Sequence, residues 1–157
     1  MHFPSIAVPI TLVMLTGGLA AAQAPLPDSV KRVALGQATR SHNPSKGDTC
    51  SIPEALAIPA VFKSGVTEIS YVLEVEPGLV RQVRASVLGD LGSTETKGTN
   101  CNAYVLCGGN LCQTQFGSSI SRADGQPLKK GSFTLSIEVV SIAGRASPPI
   151  ELSFQIK

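Results

Sequence analysis

The sequence predicts an all-β fold: a single antiparallel two-sheet sandwich following an N-terminal signal peptide. Three observations lead there. From residue 66 onward, apolar and polar residues alternate with period two in several separate runs, as half-buried strands do. Each run hides one face and needs an apolar layer to pack on; no long amphipathic helix supplies it, so another sheet must. Segments rich in Gly, Pro and Ser separate the runs and provide turns.

The chain opens with the leader. Ile6 to Leu15 is apolar apart from Pro9 and Thr11, Gly17-Gly18 breaks a helix, and Ala20-Ala21-Ala22 offers a small-residue cleavage site before Gln23. Cleavage after the alternative Ala22-Gln23-Ala24 would place Pro25 just past the cut, so cleavage is expected after about Ala22. Basic residues are absent from the start, where only His2 and the terminal amine stand. The apolar run is shorter than the ~20 residues a membrane-spanning helix needs and contains prolines. No cysteine precedes Cys50, which argues against a lipid-anchored start. No later segment of the mature chain is apolar for long enough to span a bilayer.

Residues 23–157 have the length of one domain and leave no room for two. A strand is expected near Val30 to Leu35, followed by a loop through Pro44, Pro53 and Pro59 to residue 62. Ile69, Tyr71, Leu73 and Val75 then alternate with Glu68, Ser70, Glu74 and Glu76. Pro77-Gly78 makes a turn, with Pro at its first central position and Gly at the positive-φ second. In the next strand, Leu79 to Leu88, Val83, Ala85 and Val87 oppose Gln82, Arg84 and Ser86. Residues 89–100 read as a polar loop. Phe133, Leu135, Ile137 and Val139 form one late strand face, Ile150, Leu152, Phe154 and Ile156 another, with Ala143 to Pro149 between them.

Four cysteines, Cys50, Cys101, Cys107 and Cys112, are an even number, the signature of disulfides in an exported chain. The stretch from Ala103 to Phe116 reads as a hairpin. With Gly109-Asn110 at the centre of the turn, Cys107 faces Cys112 at roughly 4.5 Å between Cα atoms, within bonding range. Cys50 then pairs with Cys101. A turn centred on Gly108-Gly109 leaves Cys101 with Cys112 or Cys107 open. Zinc is disfavoured, because the cysteines lack tightly spaced ligand pairs.

The run from Gly125 through Lys129-Lys130-Gly131-Ser132-Phe133 to Ile137, followed by Ala143-Gly144-Arg145-Ala146-Ser147, resembles the penultimate strand and flanking turns of immunoglobulin-like and fibronectin type III-like domains of secreted proteins. The resemblance covers about the last quarter of the chain and implies a closing strand, turn and strand in such a sandwich. The chain departs from the antibody pattern in having no Trp, and Phe133 stands where a Tyr is usual. The resemblance therefore implies architecture and carries no functional residues.

Charged residues are 15% of the chain, against roughly 25% in an average protein. A net charge of +2, all of it after the leader, with no basic run beyond Lys31-Arg32 and Lys129-Lys130, argues against nucleic acid as a partner. His42 is the single histidine past the leader, in the polar stretch Arg40 to Pro44, and no partner for a nucleophilic triad can be placed. No nucleophile turn, P-loop or dinucleotide motif is present. Glu68, Glu74 and Glu76 lie on a polar strand face and read as solvated rather than as paired catalytic acids. Asp90 and Asp124 read as turn residues rather than calcium ligands. No catalytic residue, metal or cofactor is implied.

The remaining expectation is a non-enzymatic binding or interaction module, periplasmic, in the cell envelope or secreted, with a protein partner or self-association. Val72, Val80, Val140 and Ile142 are apolar on nominally polar phases and form the expected interaction surface, with Tyr104 as an exposed ring. Phe62, before a turn, is the other ring expected at the surface. The alternatives are a small secreted hydrolase using His42 with a carboxylate, and an inhibitor of a secreted enzyme presenting the Cys107–Cys112 hairpin.

Overall fold

The computed structural model describes residues 25–45, 47–52, 60–89, 94–95 and 101–157. The leader, the cleavage point after Ala22 and Asp90 lie outside the described residues. The strands are β1 Val30–Gly36, β2 Thr39–Asn43, β3 Gly47–Ser51, β4 Ala60–Phe62, β5 Glu68–Val75, β6 Val80–Leu88, β7 Thr94–Glu95, β8 Asn102–Cys107, β9 Asn110–Arg122, β10 Gly131–Ser141 and β11 Ile150–Ile156. They form two packed sheets. The larger runs β1-β5-β9-β8-β3-β2, with β7 beside the far end of β9; the smaller runs β4-β11-β10-β6.

Alternation dictates the layering. Ile69, Tyr71, Leu73 and Val75 of β5 meet Phe133, Leu135, Ile137 and Val139 of β10 and the four apolar residues of β11 in one core. The late strands pair as their patterns imply, Phe133 with Phe154 and Leu135 with Leu152. Phe154 sits at the centre, stacked on Phe133 at 5.3 Å and edge-on to Phe62 at 6.0 Å. Phe62 is thus a core residue and not a surface ring: it lies in β4, which runs parallel to β11 with Phe62 beside Ile156. Every other strand pair among the described residues is antiparallel.

The region read as a loop before residue 62 also holds the β2–β3 hairpin, whose residues are polar and mostly exposed. The 89–100 region contains β7, which pairs Thr94 with Arg122. Both were hidden because neither carries an apolar alternation.

A second, smaller core lies on the opposite face of the larger sheet. Ala34, Val72, Ile52, Cys50 and Cys101 pack there, with the Cys50–Cys101 disulfide as a cover. Gly117 allows this cover to approach. A Cβ at that position would lie 2.5 Å from the Tyr71 carbonyl oxygen and 3.0 Å from Cys101 Sγ. Polar groups on this face are paired internally. Gln115 accepts from the Cys50 N–H (2.9 Å) and donates to its carbonyl (2.7 Å), and Ser70 and Ser119 share a hydrogen bond of 2.9 Å.

Candidate functional site

The valine surface expected from the sequence does not form. Val72 (2% exposed) lies beneath the Cys50–Cys101 cover, and Val80 (5%) belongs to the main core. Val140 (2%) is roofed by the β10–β11 connection, which folds back to bridge Val140 with Ala146. Only Ile142 (60%) is exposed. Val72 sits on a polar phase because β5 is buried on both faces, Val140 because the connection covers it, and Val80 because the β6–β10 register shifts beside it; none of these is distinguishable from a surface patch in sequence alone.

The exposed apolar residues lie elsewhere. The Gly108-Gly109 turn, with φ of 55° and 85°, joins β8 to β9 and places Cys107 opposite Asn110, not opposite Cys112. The disulfide between Cys107 and Cys112 forms diagonally across the ladder, with Cα atoms 5.9 Å apart. The pairing expected from the sequence therefore holds on a different turn. Beyond Ala103 the β8 strand has no β3 neighbour, and beyond Gln115 the β9 strand has no β5 neighbour. Residues 104–113 thus stand as a two-stranded arm, stapled near its tip. Leu106 pairs with Leu111 on that arm, and the two are 75% and 72% exposed. Tyr104, half-buried, pairs with Gln113 on the same face.

That face continues into a cleft of about 650 Å³ between the two sheets. The smaller sheet ends at β6, which approaches β9, while β8, β3 and β2 of the larger sheet extend beyond it. One wall carries Val83, Ala85 and Val87 of β6; the other carries Phe116, Asn102 and Gln113. Ala85 shows the consequence of the missing neighbour. Its partner across the ladder, Ile137, is fully buried, yet Ala85 is exposed. Gln113 Nε2 donates to Asn102 Oδ1 (2.8 Å), which orders the far wall. Burial raises the Tyr71 phenol above its ordinary value, so it stays a neutral hydrogen-bonding group.

Electrostatics distinguish the two arginines of β6. Arg84 donates to Glu138 Oε1 at 3.1 Å on the outer face. Arg81 lines the cleft and has no carboxylate partner among the described residues. His42 lies apart from the cleft, on the exposed β2–β3 hairpin; its Nδ1 is 2.5 Å from Asp48 Oδ1, and Arg40 pairs with the same carboxylate. Glu74 and Glu76 are engaged by Arg32 and Lys31, and Glu68 accepts from Ser119. Among the described residues no cluster of three His, Cys, Asp or Glu side chains is placed to hold a metal. Nor does any described helix have the length and apolarity to cross a membrane.

Leu106, Leu111 and Arg81 were not singled out from sequence. The double-glycine turn carries the signal for the leucines, since centring it on Gly108-Gly109 pairs Leu106 with Leu111. No signal marked the open flank that makes Arg81 a cleft residue. No protein-family model matches the chain, and no curated protein matches it either.

Proposed function

We propose that this chain is an exported, non-enzymatic, immunoglobulin-like β-sandwich that binds a protein partner on its open flank, in the cell envelope or outside the cell. The observation that carries the reading is the Leu106–Leu111 pair: two large apolar side chains, adjacent and solvent-exposed, on an arm that a disulfide holds rigid. Burying both would remove their apolar surface from water without a cost of ordering the arm. The cleft beside them offers amides, hydroxyls and apolar surface; its described lining has no carboxylate or imidazole. The two disulfides suit an oxidising compartment, as does the apolar leader.

Two experiments test this. When the full chain is expressed in a secreting host, N-terminal sequencing of the released protein is expected to begin at Gln23; retention inside the cell with Met1 intact overturns the export reading. Mature protein and the Leu106→Ser/Leu111→Ser variant are then compared as baits against extracellular fractions. A partner held by the first and lost by the second, at unchanged circular dichroism, supports the flank; equal capture rejects it. A second reading, an inhibitor of a secreted enzyme, draws on the same stapled arm. It expects Cys107→Ser/Cys112→Ser to lose inhibition of that enzyme while the fold persists.

A further inference from the structure

The flank has a shape that specifies what enters it. β6 is a nine-residue strand with β10 on one side and, among the described residues, no strand on the other. An edge strand presents every second N–H and C=O outward, unpaired, as a template for another strand. Beside this edge the two sheets gape where a further strand of the smaller sheet would stand, opposite β8 and the arm. The inner phase of β6 is small and apolar, with Val83, Ala85 and Val87, and the opposite wall, at Asn102 and Gln113, adjoins the arm face that carries Leu106 and Leu111. An extended segment laid along β6 would therefore have one apolar face turned into the cleft.

Charge narrows the choice further. Arg81 is the one cation lining the cleft, and it lacks a carboxylate partner among the described residues. An acidic side chain near that end of the incoming strand would meet it. A second copy of this chain is a poorer occupant. Self-pairing of β6 in antiparallel register about Arg84 sets Arg84 against its own copy, and β6 brings no acid to Arg81.

Resting on the binding reading above, we propose that the partner contributes an extended strand that pairs with the free edge of β6, turns apolar residues into the cleft, and sets a carboxylate against Arg81. Strand addition of this kind takes its affinity from main-chain hydrogen bonds and its selectivity from the alternating side chains.

The test uses mature, disulfide-intact protein and synthetic ten-residue peptides of alternating Val and Thr, carrying Glu or Lys near one end. Amide hydrogen exchange is expected to slow along Val80–Leu88 on addition of the Glu peptide. Binding of the Glu peptide should exceed that of the Lys peptide by about fivefold, the upper range for an exposed ion pair. Arg81→Glu should reverse this order. N-methylation of alternate peptide amides should weaken binding by about tenfold or more. Saturation without protection of β6, or indifference to N-methylation, overturns the strand. Concentration-dependent protection of β6 without peptide assigns the edge to a second copy and overturns the proposed occupant. Loss of the natural partner in Leu106→Ser/Leu111→Ser, with no peptide effect on β6, leaves the binding module standing and removes the strand alone.

Discussion

The larger sheet carries two disulfides, with opposite results. On one face Cys50–Cys101 joins residues 51 apart in sequence and seals Val72, Ala34 and Ile52 from water. On the β8–β9 arm Cys107–Cys112 joins residues 5 apart, sits beside Gly78 of the β5–β6 turn, and leaves Leu106 and Leu111 in solvent. The first bond lengthens the reach of the core; the second fixes the shape of an uncovered surface. The same covalent chemistry thus covers a core in one place and braces an exposed hairpin in the other.

Removing the two bonds separately should break this comparison most visibly. Cys50→Ala/Cys101→Ala gives up about 4 kcal/mol of loop-closure entropy, together with packing in the outer core. Cys107→Ser/Cys112→Ser should cost about 2 kcal/mol or less, because the loop is so short. Urea denaturation of both variants measures the difference, and equal losses would contradict the division of roles. Single truncations sharpen it. Val72→Ala is expected to destabilise by roughly 2 kcal/mol through a buried cavity. Leu106→Ala should stay within about 0.5 kcal/mol, as exposed substitutions do.

Smaller effects follow from titration. Tyr71 borders both regions, packed in the core and lining the cleft, and burial raises its phenol above the ordinary 10.0. The folded state holds that proton more tightly than the unfolded chain. Its contribution is therefore complete below pH 10 and declines as the pH rises through the folded value. Tyr71→Phe should lose less stability than the parent between pH 9 and pH 12, estimated as roughly the span around a phenol's titration. Asp124 should show the smallest effect. The Arg122 guanidinium, bonding at 2.6 and 2.9 Å, and the Gln126 N–H hold this carboxyl below its ordinary 3.8. Its contribution is present above that value and fades as pH falls through the lowered one. Asp124 is solvent-exposed, so Asp124→Asn should shift the acid unfolding midpoint only slightly.

Sequence alternation made the main core readable. Strands such as β10 and β11 bury one face only, so period two reports their orientation directly. It failed where a strand is buried twice. In β5, Ser70 and Val72 are as buried as Ile69 and Leu73, because a covalent cover arrives from Cys50 and Cys101. The cysteine pairing was legible from the hairpin, although the turn was misplaced by one residue: Gly-Gly and Gly-Asn both tolerate positive φ. The candidate site was least legible. Whether Ala85 or Leu106 meets solvent depends on a strand that the smaller sheet lacks among the described residues, and local patterns do not count strands.

The parallel pairing of β4 with β11 carries a consequence in time. Ala60 to Phe62 find their ladder partners at Phe154 to Ile156, so the centre of the core closes only when segments distant along the chain meet. Contacts of such high sequence separation fold slowly. Synthesis of the earlier strands alone leaves Phe62 without Phe154, and the domain stays open until β11 arrives.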